Sequence, residues 1–372
     1  MVKMKSWRDP SRYLRRILVE ESCLEFPYTK QILERADLPW TIVPAGEQPN
    51  IGSGLLADDL SRGKQHLFLT SHKGRFCKAC PGTREYLCCG YHVINTGMNC
   101  PIDCGYCILQ AYLNNPYLSF YVNIEAMIAD IAGVLEAQPG QLFRIGTGEF
   151  ADSLAIDRLT GLSRILVPFF AKHNNAVLEL KTKSAMIDNL SDLDHRGRTV
   201  VAWSLNSTHI MASEELRSAS LAERLAAARQ CVDWGYKVAF HFDPLIFHAD
   251  WQKGYAATIA ALYQEIPATA IAWISLGALR FLPKLKDIAT YRFPQSSIYH
   301  QEFVDGLDGK SRYFRFHRLE LYRFIYQQLR HHAAESTCIY FCMESDEIWR
   351  DVMGFVPAER GGIAKMLDEA VF

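Results

Sequence analysis

The stretch NCPIDCGYCILQAYLNNP, residues 99–116, contains three cysteines within eight residues. Cys100, Cys104 and Cys107 are spaced C-x3-C-x2-C, which gives one thiol fewer than a four-coordinate structural zinc site requires. Three thiols in one short loop fit a cubane [4Fe–4S] cluster, in which each iron takes one outside ligand and the fourth iron stays open. A zinc site with its fourth ligand elsewhere in the chain is the alternative.

The segments around this loop alternate between β-like and helix-like patterns. The β-like segments are apolar, β-branched or aromatic, and several end on Gly, Asn or Pro. They are residues 91–99, 142–148, 176–183, 199–206, 237–245 and 271–279. Between them, 154–170 shows one apolar helical face, and 220–235 opens on a capping box of Ser220 and Glu223. Six strands, each followed by a helix, predict an α/β fold with parallel pairing, either doubly wound or a barrel.

The notable polar residues fall at the carboxyl ends of these strands. The cysteine loop follows the first strand, and GTGEFAD (146–152), KTKS (181–184), SLNS (204–207) and HFDP (241–244) occupy the ends of the next four. In parallel βα assemblies the functional residues gather at that edge. No glycine fingerprint of a nucleotide-binding fold follows the first strand, so nothing in the sequence favours the doubly wound form.

Length and composition limit the range of functions. The 372 residues comprise 49% hydrophobic side chains, and 40 Lys+Arg nearly balance 41 Asp+Glu, so the chain is not a general polyanion binder. We divide it into an amino-terminal segment (1–90), a core (91–280) and a basic, aromatic carboxyl-terminal extension (281–372). The charged start and the absence of a long apolar run predict a cytoplasmic protein without a membrane span. In such a protein, those of the 11 cysteines that are clustered are expected to be metal ligands or catalytic thiols.

The cysteine loop, with Tyr106 directly before its last thiol, resembles the radical S-adenosylmethionine superfamily. Longer segments resemble one family within it, the spore photoproduct lyases, over roughly residues 15–345. These segments are CGYCILQAYLNNPYLSFYVN, LAIDRLTGL, WSLNS, SLAERLAAA, DPLIFHADWQKGY and YFCMES. The resemblance implies a partial six-stranded (β/α)6 barrel with extensions at both ends. It also implies a [4Fe–4S] cluster that cleaves S-adenosylmethionine to a 5′-deoxyadenosyl radical, a reductant such as flavodoxin or ferredoxin, and repair of a thymine dimer in DNA.

The resemblance also assigns roles to individual residues. It makes Cys100, Cys104 and Cys107 the cluster ligands and places Lys183 near the methionyl carboxylate of the cofactor. The stretch Gly146, Thr147, Gly148 and Glu149 stands where the superfamily binds the methionyl amino group, and Ser204 and Asn206 stand where it contacts other polar groups of the cofactor. From the residues alone, Lys183 is equally well a solvated lysine at a strand end, and Ser204 and Asn206 suit a capped strand–helix turn.

Two departures from the family pattern affect the reaction. The family's hydrogen-donor cysteine corresponds to a position at or beside Gly148–Glu149, where this chain has no thiol, and the tyrosine that follows the last cluster cysteine is replaced by Ile108. Tyr106 is retained, so Tyr106 and Glu149 are the candidate catalytic residues. Either another residue donates the hydrogen, with Cys338 and Cys342 as displaced thiols unless both are core residues, or the substrate and outcome differ.

A second cysteine group, Cys77, Cys80, Cys88 and Cys89, precedes the first strand. It suits zinc or a second iron–sulfur cluster, or else free thiols that pack the amino-terminal segment. If residues 91–99 form one strand about 30 Å long, Cys89 lies at the opposite end of that strand from Cys100. A metal at this group would then be structural or a distant electron relay.

The segment 310–332 interleaves arginines with aromatic residues. This pattern predicts contacts with DNA or RNA through Arg312, Arg315 and Arg318, or else a buried aromatic face with a solvated basic face. Three hypotheses remain at this point. They are a radical enzyme on a DNA lesion or modified nucleobase, a radical enzyme on a peptide or small molecule, and a non-enzymatic iron–sulfur or zinc protein.

Overall fold

The structure is a computed structural model that describes residues 7–50, 56–83 and 85–372. Its strands are numbered here in chain order. They are β1 (Arg16–Glu20), β2 (Trp40–Val43), β3 (His66–Thr70), β4 (Cys77–Ala79), β5 (His92–Ile94), β6 (Gly97–Met98), β7 (Asp103–Cys104), β8 (Leu118–Tyr121), β9 (Phe143–Gly146), β10 (Ala176–Thr182), β11 (Thr199–Ser204), β12 (Glu215–Leu216), β13 (Lys237–Leu245), β14 (Ile271–Ala278), β15 (Arg280–Phe281), β16 (Phe303–Asp305), β17 (Ser311–Tyr313) and β18 (Cys338–Phe341).

The helices pack mainly around the strands that follow residue 120. They are α1 (Pro27–Ala36), α2 (Leu56–Gly63), α3 (Leu109–Tyr112), α4 (Ile124–Ala137), α5 (Asp157–Thr160), α6 (Ser163–Phe170), α7 (Thr208–Glu214), α8 (Leu221–Asp233), α9 (Trp251–Glu265), α10 (Pro283–Arg292), α11 (Arg315–His332), α12 (Asp346–Met353) and α13 (Ile363–Asp368). Within the described ranges, no helix has the length and apolar character needed to cross a bilayer.

The main sheet has eight strands in the order β18-β14-β13-β11-β10-β9-β5-β4. All neighbours pair parallel except β4 and β5, which pair antiparallel. The α/β fold is confirmed. Each of the six predicted segments supplies a strand to this sheet, and β18 and β4 extend it beyond the predicted six. The sheet is curled, with helices on its outer face.

Strand β10 shows how the sequence builds the two faces of this sheet. Leu178 and Leu180 are buried in the core shared with the outer helices, while Glu179 and Lys181 face a cavity on the concave side. Side chains alternate between faces along a strand, so the apolar and charged residues of this segment separate by parity. The charged residues of β10 therefore line the inner face of the sheet, where a packed barrel would carry apolar side chains.

The first predicted strand is much shorter than expected. Residues 91–99 do not form one strand, because β5 ends at Ile94 and the chain crosses to a second sheet at β6. Gly97 pairs there with Phe120, and a Cβ on Gly97 would lie 2.1 Å from the Ser119 carbonyl oxygen. This close approach of two backbones requires glycine, and it turns the chain away from the main sheet.

The second sheet has five strands in the order β2-β1-β3-β8-β6. It combines strands from before residue 90 with strands from 97–98 and 118–121, so the amino-terminal segment and the core share it. The predicted helix over 154–170 is also divided, because Gly161 adopts a φ of 63° between α5 and α6. The predicted capping box of Ser220 and Glu223 is present at the start of α8.

Candidate active site

The carboxyl ends of the parallel strands surround a cavity of about 350 Å³ on the concave face of the sheet. The three cysteines of the loop after β6 line this cavity, together with side chains from β10, β11, β13 and β14. Charged groups of both signs contribute to the wall. The cavity is therefore the place where the sequence-predicted site residues can meet.

Cys100, Cys104 and Cys107 all face the cavity, and all three are free thiols. Asn99 adopts a φ of 73° at the entrance to their loop, and its amide donates to the carbonyl of Pro116 over 3.1 Å. The Gly105 N–H donates to the Glu214 carbonyl over 2.8 Å, which ties the middle of the loop to α7. Three unpaired thiols presented by one fixed loop fit a cluster that takes three protein ligands.

A buried ion cluster holds this loop from outside the cavity. Asp103 lies 3.0 Å from the ammonium of Lys64 and 2.9 Å from the guanidinium of Arg292. Lys64 also donates to the carbonyl of Ile102 over 2.6 Å. Burial raises the pKa of Asp103, but the two cations outweigh burial and lower it overall. Because the three side chains are almost wholly buried, each depends on its partners to remain charged.

Lys183 and Tyr106 meet at the cavity wall. The Lys183 ammonium lies 5.7 Å from the centre of the Tyr106 ring, and the Tyr106 hydroxyl donates to the carboxylate of Glu215. Glu215 also pairs with Arg224, which donates to the Ser204 carbonyl over 2.7 Å. Burial raises the pKa of Glu215, yet Arg224 and Lys183 lower it overall, so Tyr106 donates to a carboxylate. The sequence pattern gave no indication of Glu215 or Arg224.

The turn after β9 is organised by Asp152, which sequence reasoning also missed. Its carboxylate accepts from the N–H groups of Leu154 and Ala155, from the Thr182 hydroxyl over 2.6 Å and from the Lys183 N–H over 2.8 Å. These bonds fix the end of β10 against the turn that follows β9. Asp152 therefore fixes the backbone position from which the Lys183 side chain extends.

The four residues of the GTGE stretch divide into two pairs. Gly148 and Glu149 line the cavity, whereas Gly146 and Thr147 pack outside it. A Cβ on Gly146 would overlap the Tyr91 hydroxyl, and the Thr147 hydroxyl donates to Ser153 over 2.8 Å. Glu149 forms an ion pair with Lys181, which belongs to the same KTKS segment as Lys183.

Ser204 lines the cavity, and Asn206 does not. The Asn206 amide donates to the Pro244 carbonyl over 2.7 Å, and its oxygen accepts from the Tyr255 hydroxyl over 2.7 Å. These bonds use the polar atoms of a fully buried side chain. Asn206 thus connects β11 to the segment after β13 and makes no direct contribution to the cavity wall.

Further charged residues of the wall come from β10 and β13. Glu179 lies 2.8 Å from His241, whose other ring nitrogen lies 2.6 Å from the Ser275 hydroxyl. Burial raises the pKa of Glu179, but His241 and Lys181 outweigh burial and hold it at about 2. Asp243 pairs with Arg280 over 3.1 Å. His241 and Asp243 belong to the HFDP segment, so their strand-end position was the signal that could have identified them.

The second cysteine group is not at the far end of a barrel strand. Cys80, Cys88 and Cys89 line the same cavity as Cys100, because β5 has only three residues and does not separate the two groups. The expectation of a distant site was wrong for this reason. Cys77 is buried in β4 and does not line the cavity, whereas Cys342, at the end of β18, does. Cys338 lies at the start of that strand and does not reach the cavity.

The predicted basic patch is mostly internal. Arg312 is 2% exposed, where it pairs with Asp308 over 2.8 Å and lies 4.0 Å from the centre of the Tyr86 ring. Arg318 is largely buried 3.7 Å from Glu344, and Arg315 is half exposed beside Asp351. The prediction that Arg312 contacts nucleic acid is wrong, because its guanidinium is enclosed between Asp308 and Tyr86.

Comparisons with known proteins agree with this geometry. A family model described as spore photoproduct lyase matches residues 87–344. The spore photoproduct lyase of Geobacillus sp. (strain Y412MC61) is 25% identical over 249 residues, which cover 66% of this chain and 71% of the relative. That of Clostridium acetobutylicum is 20% identical over 336 residues, covering 88% of this chain and 96% of the relative.

Solved structures show the same fold. A mutant of spore photoproduct lyase with bound AdoMet and dinucleoside spore photoproduct superimposes with a TM-score of 0.79 at 21% identity, over 89% of this chain and 99% of the other. A second mutant structure, with dinucleoside spore photoproduct, covers 92% of this chain at the same TM-score.

Proposed function

Because the chain belongs to the spore photoproduct lyase family of radical S-adenosylmethionine enzymes, we propose that it acts on a DNA lesion or a modified nucleobase. The observation that carries the radical chemistry is the meeting of Cys100, Cys104 and Cys107 with Lys183 in one cavity at the carboxyl ends of the strands. The family match supports the nucleic-acid substrate. The non-enzymatic hypothesis is set aside, since the family consists of lyase-type enzymes.

The residues of the cavity fit the two cofactors. The three thiols would hold the [4Fe–4S] cluster, and the Lys183 ammonium offers a cation for the methionyl carboxylate of S-adenosylmethionine. Gly148 and Glu149 are the members of the GTGE stretch that can reach the methionyl amino group, and Ser204 offers a hydroxyl. When bound, the two cofactors together supply a 5′-deoxyadenosyl radical. A reductant such as flavodoxin or ferredoxin supplies the electron.

This chain's own residues position the reacting groups. Asp152 fixes the backbone of Lys183, and Glu215 with Arg224 holds the Tyr106 ring beside the Lys183 ammonium. Charged side chains on the inner face of β10 and β13 make the wall polar. We propose that Tyr106 and Glu149 contact the reacting groups, and that the absence of a thiol beside Gly148 gives the reaction a different hydrogen donor or a different outcome from that of the family.

The test of the chemistry is 5′-deoxyadenosine release by the anaerobically reconstituted enzyme in the presence of a reductant. We expect release by the wild type and none from Cys104→Ala, because the cluster loses one of its three protein ligands. Cys231→Ala, which changes a buried thiol in α8 outside the cavity, is the matched control and should remain active. Equal activity in Cys104→Ala and the wild type would refute the cluster assignment.

The test of the substrate is DNA binding. Arg315 is the one exposed member of the three arginines, and we propose that it contacts phosphate. Binding to a DNA duplex should weaken as salt rises and weaken further in Arg315→Ala. Arg196 lies exposed before β11, at the opposite end of the sheet, so Arg196→Ala is the control. No binding at low salt would favour the alternative substrate class, a peptide or small molecule.

A further inference from the structure

The loop between β4 and β5 crosses the end of β18. Cys80 donates its N–H to the Tyr91 carbonyl over 2.7 Å where the loop leaves and rejoins the sheet. At its far end, the Leu87 N–H donates to the Glu344 carbonyl over 3.1 Å. The Thr83 hydroxyl lies 3.1 Å from the Met343 sulfur and accepts from Lys310 over 3.1 Å. The described residues of this loop, 80–83 and 85–91, are therefore fixed against the residues that follow β18.

Four thiols meet where this loop contacts the end of β18. Cys80, Cys88, Cys89 and Cys342, here called the loop–strand thiols, all line the cavity, and all are free. Cys88 and Cys89 are neighbours in the chain, and a Cβ on Gly82 would lie 3.5 Å from the Cys88 sulfur and 3.9 Å from the Cys80 carbonyl oxygen. Cys89 and Cys342 lie within electrostatic range of each other. The four therefore form one group. It differs from the group predicted from the sequence in one member, because Cys342 lines the cavity and Cys77 does not.

Two arginines lie beside this group. The Arg280 guanidinium lies 3.5 Å from the Cys342 sulfur, and Arg144 donates to the carbonyl of Cys89. Cationic side chains beside cysteines are among the features that tune iron–sulfur clusters. Burial raises the pKa of the Cys80 and Cys342 thiols, so metal binding at these positions would release their protons.

The spacing of the thiols distinguishes between kinds of metal centre. A tetrahedral zinc with Zn–S bonds of about 2.3 Å draws its sulfurs to within about 4 Å of one another. Among the described residues, no three Cys, His, Asp or Glu side chains are spaced to hold a single metal ion. Neither the Cys100, Cys104 and Cys107 thiols nor the loop–strand thiols are therefore placed to hold one metal ion. Ligands of an iron–sulfur cluster bind different irons, and the loop–strand thiols number four, which is the number of ligands of a fully ligated cluster.

We propose that Cys80, Cys88, Cys89 and Cys342 bind a second iron–sulfur cluster in the same cavity as the first. This site does not depend on the substrate proposed above, and it makes Cys342 a metal ligand and not a displaced hydrogen donor. Because all four positions are occupied by protein thiols, the second cluster has no open iron for S-adenosylmethionine. Its place in the shared cavity makes it a partner of the first cluster in electron transfer.

The test is iron and sulfide content after anaerobic reconstitution, measured with each cluster removed in turn. The wild type should bind about eight irons, and the Cys100→Ala/Cys104→Ala/Cys107→Ala variant should retain about four. The electron paramagnetic resonance spectrum of that reduced variant should not change when S-adenosylmethionine is added. Since this variant cannot cleave S-adenosylmethionine, the result is independent of the proposed reaction.

The complementary variant is Cys89→Ser/Cys342→Ser, which leaves only two of the four ligands and should fall to about four irons while its spectrum still responds to S-adenosylmethionine. Cys338→Ser changes a thiol in β18 that does not reach the cavity, and it should keep about eight. Cys80→Ser/Cys88→Ser removes the other two ligands and repeats the test if the first double variant fails to fold. Absence of iron in the triple alanine variant, unchanged iron in both double variants, or stoichiometric zinc in place of iron would each overturn the proposal.

Discussion

At the scale of single residues, Asp103 shows how the cysteine loop is kept in place. It stands between two of the three cysteines, yet its carboxylate points away from the cavity to Lys64 and Arg292. Both cations are almost wholly buried, and Asp103 pairs with each of them. Its carboxylate therefore offsets part of the cost of keeping two positive charges inside the protein.

We predict that Asp103→Asn destabilises the protein by about 3 kcal/mol, the order of magnitude seen when one partner of a buried ion pair is removed. The free energy of unfolding, measured with urea, checks this value. Asp194→Asn breaks an exposed pair with Arg196 and should change the free energy of unfolding by about 0.5 kcal/mol or less. Similar effects of the two substitutions would contradict a structural role for Asp103.

Glu179 leads to a prediction about pH. Its pKa is about 2 in the folded protein against a reference value of 4.5, so the unfolded chain binds the proton more readily between these values. The stability that Glu179 provides is complete above about pH 4.5 and is lost as the pH falls toward about 2. The difference in unfolding free energy between the wild type and Glu179→Gln should therefore narrow from pH 7 to pH 3. A constant difference over that range would show that the carboxylate makes no such contribution.

At the scale of elements, the sequence predicted those features that depend on neighbouring residues. The parallel strands and the capping box follow from local periodicity and capping chemistry. The crossing at Gly97 was missed, because the reason for it is the close approach of the backbone of the distant Ser119. The break at Gly161 was missed although a glycine that ends a helix is a local signal. The spacing of residues along the chain likewise does not reveal whether another element covers a side chain. For this reason Arg312 was expected at the surface, although it is buried.

The capping box of α8 is suited to a quantitative test. The Ser220 hydroxyl accepts from the Glu223 N–H, and the Glu223 carboxylate accepts from the Ser220 N–H over 2.8 Å. Ser220→Ala should lower the free energy of unfolding by about 1 kcal/mol, and Ser220→Thr, which keeps a hydroxyl, should stay close to the wild type. Equal losses in both variants would mean that packing around residue 220, and not the cap, is responsible.

At the scale of the whole molecule, the two sheets are joined through shared chain. The chain passes directly from β5 in the main sheet to β6 in the second sheet. The Tyr28 hydroxyl of α1 also donates to the Thr160 carbonyl of α5 over 2.8 Å. The loop–strand thiols are a product of the same long-range packing, since Cys342 follows Cys89 by most of the chain. The sequence could supply the triplet, whose spacing is local, but not a group whose members meet only in the folded protein.

We therefore predict that a chain lacking residues 1–90 does not fold as an independent core. The loss of residues 1–90 would remove β3 and so expose one edge of β8, and it would leave Asp103 without Lys64. Circular dichroism and urea unfolding of the truncated chain should show no cooperative transition. A cooperative transition with a stability close to that of the full chain would show instead that residues 91–372 form a self-sufficient domain.

The ion cluster behind the cysteine loop has a consequence for biosynthesis. A ribosome delivers Lys64 before the three cysteines but delivers Arg292 only after most of the barrel strands have been made. The complete ion cluster therefore cannot form before Arg292 has been synthesised. We expect stable cluster assembly only when synthesis of the chain is nearly finished, because until then the structure that supports the three thiols is incomplete.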